Sequence, residues 1–245
     1  MELNKIYNMD CLEGMKSIPD KSIDMILCDL PYGTTRNKWD SIIPFDKLWE
    51  QYNRIIKDNG AIVLFAQGMF TCDLMNSNRK MWRYNLIWDK VLPSGFLNAK
   101  RQPMRNHEDI CVFYKKQPTY NPQMWEGKEC HSRGNVLGQS QGDFSRNTNY
   151  GNFKAVETKG NLKYPKSILT FQKPHPSTSQ HPTQKSLEVC EWLIKTFTNE
   201  NEVVLDNCVG SGTTPLACIN TNRQFIGFEL DKDYFNIAQS NILEE

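Results

Sequence analysis

The chain has 245 residues, of which 39% are hydrophobic and 23% charged, with a formal net charge of +1. That length and balance suit one large α/β domain, or a catalytic domain with an insertion, able to bury a core. No apolar stretch is long enough to span a membrane, and near-neutral charge leaves any nucleic-acid signal to be local.

Residues 5–28 read as a short strand around Ile6-Tyr7, a helical turn with Leu12 and Met15, a turn at Pro19-Asp20-Lys21, and a buried strand over 23–28. This strand leads into Asp29-Leu30-Pro31-Tyr32-Gly33. Apolar residues at Phe45, Leu48, Trp49, Tyr52, Ile55 and Ile56 have helical spacing. Asp58-Asn59-Gly60 is expected to stop that helix, with Gly60 as a left-handed cap, before a short strand over 61–65. Residues 69–78 read as a helix, and 84–88 and 110–114 as strands. The alternation predicts an α/β domain with a mostly parallel sheet.

The composition then changes. Residues 115–180 are rich in Asn, Gly, Ser, Gln and Pro, with almost no apolar periodicity. Ten Lys and Arg against four acids give this stretch +6, which leaves the remainder of a +1 chain at −5. Tyr120, Trp125, Phe144, Tyr150, Phe153 and Tyr164 are interleaved with those bases. A segment of this kind is either a solvated loop or a surface that meets phosphates and bases. Helical spacing returns at Leu187, Cys190, Leu193, Ile194 and Phe197, followed by a strand over 202–206, a glycine-bearing turn, a small-residue helix over 215–220, a strand over 224–229 and a last helix over 231–243.

Two stretches carry chemistry. In Asp206-Asn207-Cys208-Val209-Gly210-Ser211-Gly212-Thr213-Thr214, the glycines let the backbone approach a ligand and present amides at a helix start. Glu229 lies where a strand-end carboxylate grips ribose hydroxyls in a nucleoside-binding βαβ unit. The plain alternative is an ordinary tight βα turn, with Asp206 as a helix cap. A dinucleotide fingerprint fails at Pro215, and a phosphate-binding loop fails for want of Gly-Lys-Ser/Thr, which leaves a nucleoside cofactor with little phosphate. In the first stretch, Asp29 and the Leu30 carbonyl can accept the two N–H groups of an amine on an aromatic base. That favours a pyramidal nitrogen with its lone pair free. Pro31 holds residue 30 extended, and Tyr32 offers a ring to stack on an extruded base. Asp, Pro and Gly are also ordinary turn residues.

Together these motifs resemble the amino-methylating DNA methyltransferases, whose signatures are [D/N/S]-P-P-[Y/F/W] and a form of D-P-F-x-G-S-G-T-T. Their order here, catalytic first and cofactor last, resembles the permuted β class. Asn8-Met9-Asp10-Cys11-Leu12 resembles the segment whose acid lies near the cofactor adenine, and His181-Pro182-Thr183-Gln184-Lys185 the segment that closes over the cofactor. Asn106-His107-Glu108-Asp109-Ile110 and Trp88-Asp89-Lys90 also have family counterparts. The resemblance implies a doubly wound, mostly parallel methyltransferase sheet. It divides into a catalytic half (1–114), a target-recognition insertion (115–175) and a cofactor-binding half (176–245).

It further implies S-adenosylmethionine as cofactor and double-stranded DNA as partner, with a homodimer and a companion restriction endonuclease as family possibilities. Asp29, Leu30, Pro31 and Tyr32 are the implied catalytic set. The implied cofactor set is Asp10, Cys11, His181, Thr183, Gln184, Lys185, Asp206, Gly210, Gly212, Thr213 and Glu229. An initial Asp leans toward adenine N6, since Ser is the commoner initial residue for cytosine N4. An RNA base, a protein glutamine amide, or a decayed core that only binds DNA are the other readings. The chain departs from the family pattern at Leu30, where only the backbone is needed, and at Asn207-Cys208-Val209 in place of Pro-Phe-x. Eight dispersed cysteines without a C-x-x-C pair imply reduced thiols. Cys130-His131 alone makes no zinc site, so no metal is expected. The N-terminal residues lack a signal-peptide pattern, which predicts a cytoplasmic protein.

Overall fold

The computed structural model describes residues 1–34, 40–130, 160–174 and 184–243. They divide into two compact units, Met1–Asn121 with Lys166–Glu245, and Pro122–Pro165. In chain order the strands are β1 (Lys5–Asn8), β2 (Ile23–Asp29), β3 (Ile56–Ala66), β4 (Trp82–Ser94), β5 (Arg105–Phe113), β6 (Trp125–Cys130), β7 (Gly160–Lys163), β8 (Ile168–Thr170), β9 (Val203–Asp206) and β10 (Gln224–Glu229). The helices are α1 (Cys11–Lys16), α2 (Phe45–Ile55), α3 (Met69–Ser77), α4 (Leu187–Phe197), α5 (Thr213–Asn220) and α6 (Lys232–Leu243).

In the smaller unit β6 and β7 pair antiparallel, with Trp125 opposite Lys163. The larger unit holds one sheet in the order β1-β10-β9-β2-β3-β5-β4-β8. From β1 to β3 all neighbours are parallel, β5 is antiparallel to both β3 and β4, and β8 is parallel to β4.

Alternation along the central strands sends side chains to two cores. Ile26 and Cys28 of β2, with Ile62 and Leu64 of β3, meet α1, α2 and α3 through Met15, Leu48, Trp49, Tyr52 and Leu74. Met25 and Leu27, with Val63 and Phe65, meet α4, α5 and α6 through Val189, Leu193, Ala217 and Ala238. A strand covered on both faces reads as a continuous apolar run, which is why Ile23–Asp29 is so hydrophobic. Helix α2 shows the one-sided pattern of an outer layer, burying Leu48, Trp49, Tyr52 and Ile55. The α/β architecture with a mostly parallel sheet is therefore present. The antiparallel β4–β5 hairpin is added to it.

Strands β2 and β9 are neighbours, paired at Met25–Val204 and Ile26–Leu205. From β2 the chain crosses by α2 to β3 on one side, and from β9 it crosses by α5 to β10 on the other. Divergent crossovers leave a crevice at the carboxyl ends of the two strands, and Asp29 and Asp206 end those strands.

Gly60 departs from its expected role. It is no left-handed cap, because β3 begins at Ile56 and runs straight through Asp58-Asn59-Gly60. A Cβ at this position would lie 2.8 Å from the Asp24 carbonyl and 2.7 Å from Ile56 Cδ1. The glycine is thus required by close approach of β2, beside the register shift between Ile23 and Met25. Gly60→Ala is expected to destabilise the fold by about 1–3 kcal/mol. The thermal midpoint should drop by roughly 2–4 °C per kcal/mol; an unchanged midpoint in calorimetry would refute the packing argument.

Candidate active site

A cavity of about 330 Å³ opens at the crevice. Asp29, Leu30, Pro31 and Tyr32 line it from the turn after β2, and Asp206, Gly210 and Thr213 from the turn after β9. Glu229 at the end of β10, Asp10 and Cys11 after β1, and Gln184 and Lys185 before α4 also line it. Gly212 is turned elsewhere: its φ is 95°, and a Cβ there would meet Ala238 Cα at 3.2 Å, so it shapes the turn and lets α6 approach. His181 and Thr183 lie outside the described residues, as does the 131–159 stretch that holds His131 and part of the basic, aromatic region.

The Asp29 carboxylate is held on both oxygens. Tyr32 donates its hydroxyl to Oδ1 at 2.7 Å, and the Lys185 ammonium donates to Oδ2 at 2.5 Å. Lys185 also lies 3.3 Å from Glu108 Oε2, while Lys90 donates to Glu108 Oε1 at 3.0 Å. The Lys185 side chain is 8% exposed and that of Asp29 23%, so this chain of alternating charge is largely out of water. Burial pushes the Asp29 carboxyl above its ordinary value, and the Glu108 charge adds to this, against the pull of Lys185 and Tyr32. Burial acts upward on Glu108 as well, but Lys185 and Lys90 outweigh it and hold that carboxyl below its usual value. Burial opposes the Lys185 charge, yet Asp29 and Glu108 together keep the ammonium above its ordinary value. Lys185, expected against the cofactor, thus sits on the acid of the first motif. Tyr32 has its ring 4.8 Å from that of Phe70 and its hydroxyl on Asp29.

At the end of β9, burial pushes the Asp206 carboxyl up to about 6, against hydrogen bonds from the Cys208 amide and Thr214. Asn207 is buried and accepts a 2.5 Å bond from the Tyr52 hydroxyl of α2. The Gly210 amide donates to Glu229 Oε2 at 2.8 Å and the Asp231 amide to Oε1 at 2.9 Å, which aims that carboxylate from a left-handed turn (φ 57° at Gly210). Asp10 accepts from the amides of Leu12 and Glu13 and so caps α1, two residues beyond the Asn8–Glu229 pairing of β1 with β10.

Sequence reasoning left several site groups without a role. Glu108 and Lys90 fell in stretches with family counterparts, but nothing local ties them to Asp29. Asp40 is another: its carboxylate accepts the amides of Gly33 and Thr34 at 2.8 and 2.9 Å, closing the turn that carries Tyr32. A carboxylate at this distance from a Pro-Tyr-Gly turn leaves no periodic signal.

Comparison with known proteins agrees with this geometry. A family model described as DNA methylase, of the N6/N4 amino-methyltransferase type, matches residues 23–240. Type II methyltransferase M.BglII of Bacillus subtilis is 29% identical over 264 residues, spanning 96% of this chain and 68% of that protein. DNA adenine methyltransferase YhdJ of Escherichia coli K12 is 25% identical, over 97% and 82% of the two chains. The solved M1.HpyAVI–SAM complex superposes with a TM-score of 0.66 at 24% identity, over 97% of this chain and 98% of that one. The cytosine-N4-specific PvuII DNA methyltransferase superposes with a TM-score of 0.69 at 17% identity, over 96% and 84%. With nearly the whole chain matched, and both signature turns opening into one cavity, this protein belongs to the DNA methylase family of N6/N4 amino-methyltransferases.

Proposed function

We propose that the chain is a site-specific DNA methyltransferase acting on the N6 amine of adenine in a flipped-out base. The observation that carries the reading is the convergence of Asp29 and the Gly210–Glu229 turn on one cavity. Adenine is favoured by the initial Asp of Asp29-Leu30-Pro31-Tyr32 and by the likeness to a relative named as an adenine methyltransferase.

S-adenosylmethionine is the cofactor of the family, and when bound it supplies an electrophilic methyl on a sulfonium leaving group. The cavity suits it by its donor set. Lys185 is the sole Lys or Arg lining the cavity among the described residues, and it is committed to two carboxylates, so none of the described cations is placed for a phosphate. Glu229 would hold the ribose, with both oxygens still able to accept while its two amide bonds fix their direction. Asp10 and Cys11 would flank the adenine, Asp206 would face the methionine portion, and Gln184 and Thr213 would complete the walls. His181 and Thr183 are assigned to the same segment by their place in the sequence.

Asp29 and the Leu30 carbonyl would each accept one N–H of the target amine, leaving the nitrogen lone pair toward the methyl. These bonds strengthen as positive charge develops on nitrogen. Of Asp29 and Glu108, which share Lys185, Asp29 is the one whose affinity for a proton is raised, which suits it to share the proton the amine must lose. Tyr32, which lines the cavity, would stack its ring on the base. The insertion of 115–175, including β6 and β7, would read the DNA sequence through its bases and aromatic residues.

Four measurements bear on this. Incubation with mixed-sequence DNA and methyl-labelled cofactor should yield labelled N6-methyladenine. N4-methylcytosine would transfer the assignment to cytosine, and label in RNA or protein alone would remove DNA as acceptor. Asp29→Ala should abolish that turnover while leaving DNA binding in place, whereas a decayed core would show no turnover to lose. Lys185→Met leaves Asp29 and Glu108 facing each other without the intervening cation. Asp29 must then titrate at higher pH, and the acid limb of the rate profile should move upward; an unmoved limb would exclude the coupling. For Asp206, protonation below about pH 6 removes its negative charge. Cofactor affinity should therefore weaken by at most about tenfold for each pH unit below that value. Asp206→Asn should flatten the dependence in calorimetric titrations.

A further inference from the structure

Strand β4 runs in the same direction as β3, because each is antiparallel to β5. The β4–β5 connection therefore emerges at the carboxyl edge of the sheet, the edge on which Asp29 lies. The two are linked through named residues. Asp29 is level with Phe65, Phe65 with Ile110, and Glu108 two residues further on lines the cavity. Three residues beyond Glu108, roughly 10 Å along a strand, Arg105 donates its guanidinium to Gln67, another cavity-lining side chain.

The connection itself is unusual for a surface loop. Phe96 is 80% exposed and Leu97 96% exposed. They lie on a single 3₁₀ turn, Phe96–Asn98, opened by Gly95 at φ 88° and closed by backbone bonds Asn98 to Gly95, Ala99 to Phe96 and Arg101 to Asn98. The tip is thus shaped by its own backbone while its two large apolar side chains point to water. Residues 94–105 hold Lys100, Arg101 and Arg105 and no acid, in a chain whose net charge is only +1. All three cations are exposed.

We propose that this hairpin tip is a second DNA-contacting surface at the rim of the reaction site. Phe96 and Leu97 wedge into the base stack where the target nucleotide leaves it, and Lys100, Arg101 and Arg105 hold the flanking phosphates. Apolar wedges between base steps, beside cations on the backbone, are a recurring means of unstacking a duplex. A second copy of the chain is the less suitable occupant, since a two-fold contact would bring two identical +3 tips together. The proposal rests on the DNA-methyltransferase reading but concerns residues outside both signature motifs.

The test uses the full chain with two surface double variants, F96S/L97S and K100A/R101A. F96S/L97S should lower methyl transfer to unmethylated duplex DNA on the order of tenfold, while the rate on the same DNA as separated strands stays within about twofold, no stack being left to open. K100A/R101A should weaken binding to mixed-sequence duplex and cut the slope of log affinity against log salt by about 2. Equal losses on duplex and separated strands, or an unchanged salt slope, would overturn the proposal. So would conversion of a dimer to monomer by F96S/L97S, in light scattering, with duplex transfer intact. A wild-type protein whose duplex binding depends on the tip, yet which places no methyl in DNA, would instead sink the methyltransferase reading and leave the surface standing.

Discussion

Two carboxylates, Asp29 and Glu108, face one cavity, and burying like charges together is costly unless a cation stands between them. Lys185 is that cation, and it reaches Asp29 across 156 residues of chain. Lys90 adds a second positive charge on the far side of Glu108. The resulting row, Asp29–Lys185–Glu108–Lys90, joins β2, β5, β4 and the entry to α4. Removing one member of such a buried set typically costs about 3–5 kcal/mol, because the remaining charges are stranded. The row also separates the two acids chemically, since Glu108 has two ammonium neighbours and Asp29 only one. Of this pair, Asp29 is consequently the carboxyl whose proton affinity is raised.

What the sequence made legible was local. The apolar run of Ile23–Asp29 and the Asp-x-Pro-Tyr-Gly turn are contiguous, as are the strand, glycine turn and helix from Val203 to Asn220. The spacing of Leu48, Trp49, Tyr52 and Ile55 identified α2 without knowing what it packs against. Glu108 and Lys90 could not be placed in that way. They reach the site only because β4 and β5 fold back on each other, with Trp88 opposite Glu108, and then on β3. Gly60 shows the opposite failure. Asp58-Asn59-Gly60 is a strong turn signal by composition, but pairing of β3 with β2 overrides it, and the glycine serves close approach rather than a left-handed angle. Strand β8 left no sequence signal, since its three residues are ordered by pairing with β4 and carry no periodicity of their own.

The departure from the family signature at Asn207-Cys208-Val209 has a structural counterpart. A proline at 207 would have no polar side chain to satisfy, whereas a buried asparagine must bond. Tyr52 of α2 donates to its oxygen, and its amide nitrogen faces the sulfurs of Cys11 and Cys208 at 3.7 and 3.5 Å. Tyr52 is itself fully buried in the core between α2 and the sheet, so Asn207 also provides the acceptor its hydroxyl requires. The exchange ties the floor of the cavity to the helix layer by a directed bond.

Leu30 raises a related question, because a second proline would stiffen the turn that aims the residue-30 carbonyl, and leucine does not. Three features restrain the turn in its absence. The Leu30 side chain is 3% exposed and packed into the core under α1, α2 and α3, so the residue cannot swing outward without losing that burial. Pro31 keeps residue 30 out of the helical region. Asp40 then accepts the Gly33 and Thr34 amides from the far side, while Tyr32 is bonded back to Asp29. Five successive residues are thus fixed by side-chain burial, by a ring constraint and by hydrogen bonds at both ends. The backbone carbonyl at residue 30 inherits its direction from them, so the identity of its own side chain matters only insofar as it fills the core beneath.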